Sequence, residues 1–581
     1  MSVIPRIPTA CVVVLSVVLV ALGLWGCDDA GSPTAPGSAS PSGQAASKSK
    51  SKSKPDAGAI ELVFPYGSEK KQWINAVTEA FNREQHRTPA GQTIVVKPIP
   101  MGSGETMQEV LEGRLQAHLV SPASAAFIKL YNAQAQTKNG KDLVGPTQDL
   151  VLSPVIIAMW KPMAQALGWP DRPVGWSDLI DLARNEKGWA AHGFPQWGKF
   201  KFGHTHPQYS NSGLIALFAE VYAATGKQAG LTLEDVAKPE TGVFLREIER
   251  SVVHYGSSTG FFGHKLFANG PTYLSAAVLY ENLVIESYDR AKYPNQPFPV
   301  VAIYPKEGTF WSDHPVGIVQ REWVTPGHEA AAKVYIDYLL AAPQQSKAVN
   351  FGFRPSDPAI AIGAPIDAAH GVDPAQPKTT LEVPSVSVMD AIDQLWRRQK
   401  KHANLVLVID TSGSMKESGK LESAKLGAKE LINMLGDEDT LSIVAFSNTI
   451  NTILPATAMA SGRTQAVNAI DSLIASGGTA LYDATFQSYQ QLLQHPAPDR
   501  IEAVVVLTDG KDSGSNLKLN PLLSKLNFDS ETRSVRVFLI GYGEGADHQV
   551  LEQIAEKTQA KSYQGKPENI REVFKEISTF F

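Results

Sequence analysis

Leu405-Val406-Leu407-Val408-Ile409-Asp410-Thr411-Ser412-Gly413-Ser414 is the stretch that decides the fold of the C-terminal part of this chain. A run of aliphatic residues with no polar interruption is what a central parallel strand buried on both faces requires. The run ends in a carboxylate, hydroxyls and a glycine, the composition of a loop at the carboxyl end of such a strand.

Working outward, Leu421, Ala424, Ala428, Leu431, Ile432 and Leu435 recur at helical spacing between Lys420 and Leu435. Strands are expected at Leu441–Phe446 and Ile450–Leu454, then a helix near Ala466–Ala475. The turn Ser476-Gly477-Gly478-Thr479 leads into a helix from Ala480, and the buried strand Ala503–Leu507 ends in Thr508-Asp509-Gly510. A strand at Val535–Ile540 and helices at Val550–Thr558 and Asn569–Phe580 complete a doubly wound, Rossmann-like α/β sheet.

In that topology, loops at strand ends bring Asp410, Ser412, Ser414, Thr479 and Asp509 together. Carboxylates and hydroxyls are hard oxygen donors, and the set suits one octahedral Mg2+ or Mn2+ ion. Two carboxylates leave the ion electrophilic, able to accept an acidic side chain from a protein partner. The pattern Asp-x-Ser-x-Ser, then Thr, then Asp resembles the metal-ion-dependent adhesion site of von Willebrand factor A (VWA) domains across residues 402–581. The resemblance implies that Ser412 and Ser414 bind the ion directly. It implies that Thr479 binds directly or through water according to conformational state, and that Asp410 and Asp509 act through water. It also implies binding without catalysis.

Upstream, from Ile60 to Ala368, short apolar runs alternate with helical patterns, which argues a second α/β unit. Glu61–Phe64, Thr93–Ile99, Val155–Trp160 and Val300–Tyr304 read as strands; Lys71–Arg83, Glu105–Ala117 and Ala330–Leu340 read as helices. Several turns place Gly, Ser or Asn just before a helix, and from them Ser68, Ser103, Gly104, Ser124, Asn211 and Ser212 are candidate ligand-binding residues. Free N–H groups at helix starts, with hydroxyls beside them, suit oxygen-rich ligands, although the same residues are common N-caps. Met101-Gly102-Ser103-Gly104-Glu105, Leu119-Val120-Ser121-Pro122, Tyr304-Pro305-Lys306-Glu307-Gly308-Thr309 and Phe351-Gly352-Phe353-Arg354-Pro355 resemble the extracellular solute-binding proteins of ABC transporters. That likeness implies a type II-like, two-lobed periplasmic-binding-protein module with a ligand cleft. Glu69 and Glu105 in first helical turns oppose an oxyanion, so the expected small ligand is cationic, neutral or a peptide. The two imidazoles of His204-Thr205-His206 would share one strand face, which fits either a transition-metal pair, to which His254, His264 and His314 could add ligands, or packing around the cleft.

The chain has 581 residues, a net charge of −5, 43% hydrophobic and 19% charged residues, so several domains and no electrostatic footprint for nucleic acid are expected. Its two cysteines, Cys11 and Cys27, leave no disulfide framework for the later domains. Arg6 precedes an uncharged apolar run to Gly26, the pattern of an export signal. Leu24-Trp25-Gly26-Cys27 resembles a bacterial lipobox, which implies lipidation of Cys27; an uncleaved membrane anchor is the other reading. Either places the rest outside the cytoplasmic membrane, and Asp28 after the cysteine resembles an inner-membrane retention signal if the host is Gram-negative. Residues 30–58, with Ser47-Lys48-Ser49-Lys50-Ser51-Lys52-Ser53-Lys54, read as a flexible tether.

The sequence therefore predicts a signal peptide (1–26), tether (27–59), two-lobed module (60–368), linker and connecting helix (369–401) and VWA domain (402–581). The linkers carry few apolar residues, so each module is expected to fold alone. The expected function is that of a lipid-anchored extracytoplasmic binding protein, not an enzyme. The alternative is the receptor of an ABC transporter with an accessory VWA domain. A metal-chelatase subunit is disfavoured by the export signal.

Overall fold

A computed structural model describes residues 58–497, 499–526 and 535–581. The expected signal, Cys27 and the tether up to residue 57 lie outside the described residues. Among the described residues no helix is long and apolar enough to cross a membrane.

The chain opens with β1 (Ile60–Gly67), α1 (Lys71–Glu84), β2 (Ile94–Met101), α2 (Ser103–Leu111), β3 (Leu119–Val120), α3 (Ala125–Asn139) and β4 (Val144–Asp149). β1 and β2 pair in parallel, Leu62 opposite Val96, each followed by a helix. Trp73, Ile74, Val77 and Phe81 of α1 bury one helical stripe against Leu62 and Phe64. α2 stops short of the expected Ala117 because Gly113 adopts φ +73°, the left-handed conformation that ends helices.

The chain then crosses to a second lobe. It runs through β5 (Val151–Trp160), α4 (Lys161–Ala166), α5 (Trp176–Arg184), β6 (Phe202–Gly203), α6 (Asn211–Thr225), α7 (Leu233–Ala237) and α8 (Pro239–Glu249). After these come α9 (Thr259–Asn269), β7 (Ala276–Tyr280), α10 (Glu281–Glu286), β8 (Val300–Ile303) and β9 (Trp311–Ser312). β10 (Pro315–Val319), α11 (Pro326–Leu340) and α12 (Ala342–Val349) return to the first lobe, where β10 lies between β3 and β4. β11 (Arg354–Pro355) pairs with β5. This double crossing makes two lobes with a seam between them.

After an irregular stretch, α13 (Val386–Gln399) packs its apolar stripe, Val388, Met389, Ile392, Leu395 and Trp396, against α6, α7 and α8. The Trp396 indole donates to Glu249 Oε1 at 2.9 Å, and its ring stands edge-on to His206 and Tyr255. One residue run later begins β12 (Ala403–Asp410), then α14 (Lys420–Met434), β13 (Thr440–Phe446), β14 (Ile450–Ala458), α15 (Met459–Asp471), α16 (Leu481–Gln494) and β15 (Ile501–Thr508). α17 (Leu519–Lys525), β16 (Arg536–Tyr542), α18 (His548–Lys557), β17 (Ser562–Gly565) and α19 (Ile570–Ser578) finish the chain. The sheet order is β14-β13-β12-β15-β16-β17, all parallel except the β14 edge. Leu405, Leu407 and Ile409 face one core while Val406 and Val408 face another, so β12 is buried on both sides.

The expectation of independent modules meets a continuous apolar core. One cluster runs from the second lobe through α13 to one face of the C-terminal sheet. Phe580 stacks on His254 with centroids 5.1 Å apart, and Lys400 Nζ donates to the Phe581 carbonyl at 3.2 Å. The low apolar content of residues 365–384 said nothing about surfaces that meet elsewhere in the fold.

Trp396→Ala should therefore destabilise the folded chain by about 3–5 kcal/mol, since it deletes a buried indole and strips Glu249 of a donor. Urea unfolding followed by fluorescence measures this; an unchanged midpoint would mean that the connecting helix is not part of the core.

Candidate metal centre and interlobe cleft

Asp410 ends β12, and its carboxylate is fixed by two donors: Ser412 N to Oδ1 at 2.7 Å and Thr508 Oγ1 to Oδ2 at 2.6 Å. Ser414 Oγ lies 3.1 Å from Ser412 Oγ and donates to Asp509 Oδ1 at 2.7 Å. Thr479 is held by a loop that the neighbouring strands pin down. Gly413 N donates to Gly477 O, Ser476 N to Thr411 O and Gly478 N to Asn448 Oδ1, and Gly477 takes φ +88°. A Cβ on Gly510 would sit 3.6 Å from Thr479 Oγ1, which puts that hydroxyl beside the Asp509 loop. All five sequence-predicted residues thus converge at the carboxyl ends of β12 and β15 and the start of α16. Burial pushes the Asp410 carboxyl above the usual carboxylate range, against the hydrogen bonds from Thr508 and Ser412.

The spacing of the donors fits a small hard cation. Cis oxygens of an octahedron with metal–oxygen distances of about 2.1 Å lie about 3.0 Å apart. The Ser412–Ser414 separation of 3.1 Å matches that edge, and the Ser414 hydroxyl is held in place by Asp509 at 2.7 Å. Lys420, at the start of α14, was missed by the sequence reading. Its ammonium donates to Asp509 Oδ2 at 2.6 Å and neutralises one of the two carboxylates. No spacing rule singles it out, because it reaches the loop only through the turn at Ser418 and Gly419, both with positive φ.

The six candidate cleft residues gather along the seam or just behind it, but most of their polar atoms are engaged within the protein. Gly104 N and Glu105 N both donate to Tyr209 O of the opposite lobe, at 3.0 and 3.3 Å. A Cβ on Gly104 would lie 1.9 Å from Gln208 O, so only glycine permits this approach. Ser68 Oγ accepts from Gly260 N across the seam at 3.3 Å. Ser103 Oγ accepts from Ala123 N, and Ser124 is the N-cap of α3. Ser212 joins Thr205 and Thr259 in a buried hydroxyl chain, while Asn211 Nδ2 donates to Tyr280 OH and Ser312 Oγ. The helix-start N–H groups at Gly104 and Glu105 are thus spent on lobe closure. Enclosed atoms without a protein partner include Asn211 Oδ1, Asn282 Oδ1, Ser153 Oγ and His314 Nε2. His314 was a candidate only as a further metal ligand, and Asn282, in the first turn of α10 after Tyr280 and Glu281, follows no Gly, Ser or Asn turn and was not selected for the cleft.

Glu69 does not oppose an anion in the cleft, contrary to the expectation from its place in a first helical turn. Its carboxylate is buried against Lys70 Nζ at 2.9 Å and His314 Nδ1 at 3.3 Å, so it does not present a free charge. Burial alone would raise it, but Lys70 and His314 hold it down to about 2. The histidine pair also separates: His204 bonds Glu249, while His206 packs on Trp396. Among the described residues no group of three or more His, Cys, Asp or Glu is arranged to hold a metal.

Residues 62–354 match the bacterial extracellular solute-binding protein family and residues 404–576 the von Willebrand factor type A domain. The chain belongs to the bacterial extracellular solute-binding protein family and carries a VWA domain C-terminal to that module. Neither is an enzyme class. The chain is similar to the uncharacterized protein sll0103 of Synechocystis, 31% identical over 175 residues, 30% of this chain and 40% of that protein. It spans less than half the length of the curated relatives it matches. A solved von Willebrand factor type A structure from Catenulispora acidiphila is 25% identical, covering 31% of this chain and 42% of that one, with a TM-score of 0.28. The sulfate-binding protein SubI of Mycobacterium tuberculosis is 20% identical, covering 52% and 88%, with a TM-score of 0.35.

The buried ion cluster sets a pH dependence. Burial and the Lys70 ammonium lower the His314 imidazole to about 4, against the pull of Glu69. An unfolded histidine titrates near 6.5, so between about 6.5 and about 4 the unfolded chain binds more protons and stability falls as pH falls. His314→Gln should flatten this loss; urea midpoints at neutral pH and near the lower pKa, compared between the two proteins, test it. An equally steep loss in the variant would exclude His314 as its source.

Proposed function

We propose that this protein is an extracytoplasmic binding protein, anchored to the membrane through lipidated Cys27. It captures a small ligand between its two lobes and engages a protein partner through a Mg2+- or Mn2+-dependent adhesion site. The observation that carries the reading is the convergence of Asp410, Ser412, Ser414, Thr479 and Asp509 at the carboxyl ends of β12 and β15, with the Ser412 and Ser414 hydroxyls 3.1 Å apart. Ser412 and Ser414 would bind the ion directly, with Thr479, Asp410 and Asp509 orienting it and its waters. When bound, the ion supplies a Lewis-acidic position for a partner's carboxylate. Lys420 keeps the net negative charge of the seat low, which leaves that position attractive to an acidic side chain.

Membership of the solute-binding family supports ligand capture in the cleft and favours, as a second reading, the receptor component of an ABC transporter. Asn282 lines a cavity of about 290 Å³ together with Glu69 and Phe353, and its unpartnered Oδ1 suits a neutral or cationic ligand that brings a hydrogen-bond donor. Neither reading assigns the chain a catalytic step.

Calorimetric titration of Mg2+ and Mn2+ into the wild type should give saturable binding that Asp410→Ala abolishes with the circular dichroism spectrum unchanged. Indistinguishable titrations of the two proteins would remove the metal-dependent reading. In the same experiment Lys420→Met should tighten Mg2+ binding, roughly tenfold, because it removes an internal cation from Asp509. Weaker binding would instead make Lys420 a support for the seat.

A further inference from the structure

The last helix of the VWA domain lies over the seam between the two lobes. Lys575 on α19 donates to Glu109 Oε1 at 2.9 Å and stands 3.8 Å from Glu105 Oε1, both on α2 of the first lobe. The same ammonium sits 5.5 Å from the ring centre of Tyr209, which belongs to the second lobe. Tyr209 is also the residue whose carbonyl receives the N–H groups of Gly104 and Glu105 across the seam. Beneath α19 is a cavity of about 280 Å³ walled by all three bodies: Met101 and Glu105, Tyr209 and Ser257, Lys575 and Thr579.

The contacts of this C-terminal edge of the domain differ in kind. Against the second lobe they centre on aromatic rings: Phe580, just past α19, on His254, Lys265 over Phe580 at 4.6 Å, and Lys561, just before β17, over Phe261 at 4.8 Å. Against the first lobe they are ionic. Lys575 meets Glu109, which also pairs with Arg114, and these partners hold the Glu109 carboxyl down to about 2 although burial would raise it. Desolvated aromatic packing persists when ions are screened, whereas a partly exposed ion pair weakens with salt and is lost with a single charge. One side is therefore an anchor and the other a latch.

We propose that α19 is a lid on the solute-binding cleft, anchored to the second lobe by Phe580 and latched to the first by Lys575. This deepens the cleft-capture reading and rests on it. Lobes that close on a ligand must separate to exchange it, and separation at this edge breaks the Lys575–Glu109 contact. The VWA domain thus controls access to the cleft, and a partner that draws the domain away would open it.

The test uses the full chain with Cys11→Ser and Cys27→Ser, which removes both native cysteines, and Ser257→Cys under the lid as a reporter. The rate of labelling by a bulky fluorescent maleimide is read without any solute or added metal, so a failed metal site or an empty cleft leaves the readout intact. Lys575→Glu should speed labelling by about tenfold or more, and adding Glu109→Lys should restore the slow rate. Glu105→Gln with Glu109→Gln, made on the other lobe, should speed it in the same way if Lys575→Glu fails to fold. Raised salt should accelerate labelling of the otherwise wild-type reporter. Equal rates with and without the latch, in proteins of unchanged circular dichroism, would overturn the proposal, as would a fast rate that the charge swap does not reverse.

Discussion

The burial of β12 on both faces is the constraint on which the C-terminal domain depends. A strand whose alternate side chains enter two different cores can carry no polar group along its length without stranding it. Leu405 to Ile409 obey this, and the polar residues of β12, Asn404 and Asp410, sit at its two ends. In β15 the apolar run Ala503–Leu507 likewise lies between Glu502 and Thr508, whereas β13 carries the buried Ser442 within its run. Asp410, Thr508 and Asp509 are neighbours because the parallel strands β12 and β15 stop at one edge. The chemistry of the site follows from what the core excludes.

A second physical fact joins this domain to the rest. The solute-binding module places Glu249, His204, His206 and Tyr255 in a buried polar pocket, and Trp396 fills it while donating to Glu249. The connecting helix is thereby part of the second lobe, and β12 follows it with almost no slack. With Phe580 packed on His254 the terminal helix returns to the same lobe. A domain attached at both its beginning and its end has a defined position over the cleft, which a domain on a flexible linker would lack.

How much of this was legible in the sequence depended on the range of the interactions. Strand runs, the helix stripe of α14 and the Asp-x-Ser-x-Ser loop are local patterns, and the residues they nominated meet in space. Thr479 and Asp509 were recoverable because strand-end position is predictable once the sheet topology is. Lys420 was not, since its role depends on two left-handed residues that aim the helix start at Asp509. The cleft was legible as a set of turns but not as a chemistry. Gly104 reads equally well as an open anion seat or as clearance for another backbone, and only the opposite lobe, with the Tyr209 and Gln208 carbonyls, decides. Glu69 likewise looked like a free repulsive charge because neither its burial nor its pairing with the adjacent Lys70 and the distant His314 follows from the helix-start pattern. The short edge strand β17 escaped notice for a simpler reason: Ser562–Gly565 has neither a hydrophobic run nor a clear alternation.

Anomalous diffraction from crystals grown with Mn2+ examines the proposed cation site at the strand ends most directly. A single anomalous peak at bonding distance from Ser412 Oγ and Ser414 Oγ, with the Asp410 and Asp509 carboxylates around it, is the predicted result. Well-ordered loops with no peak between them would contradict it.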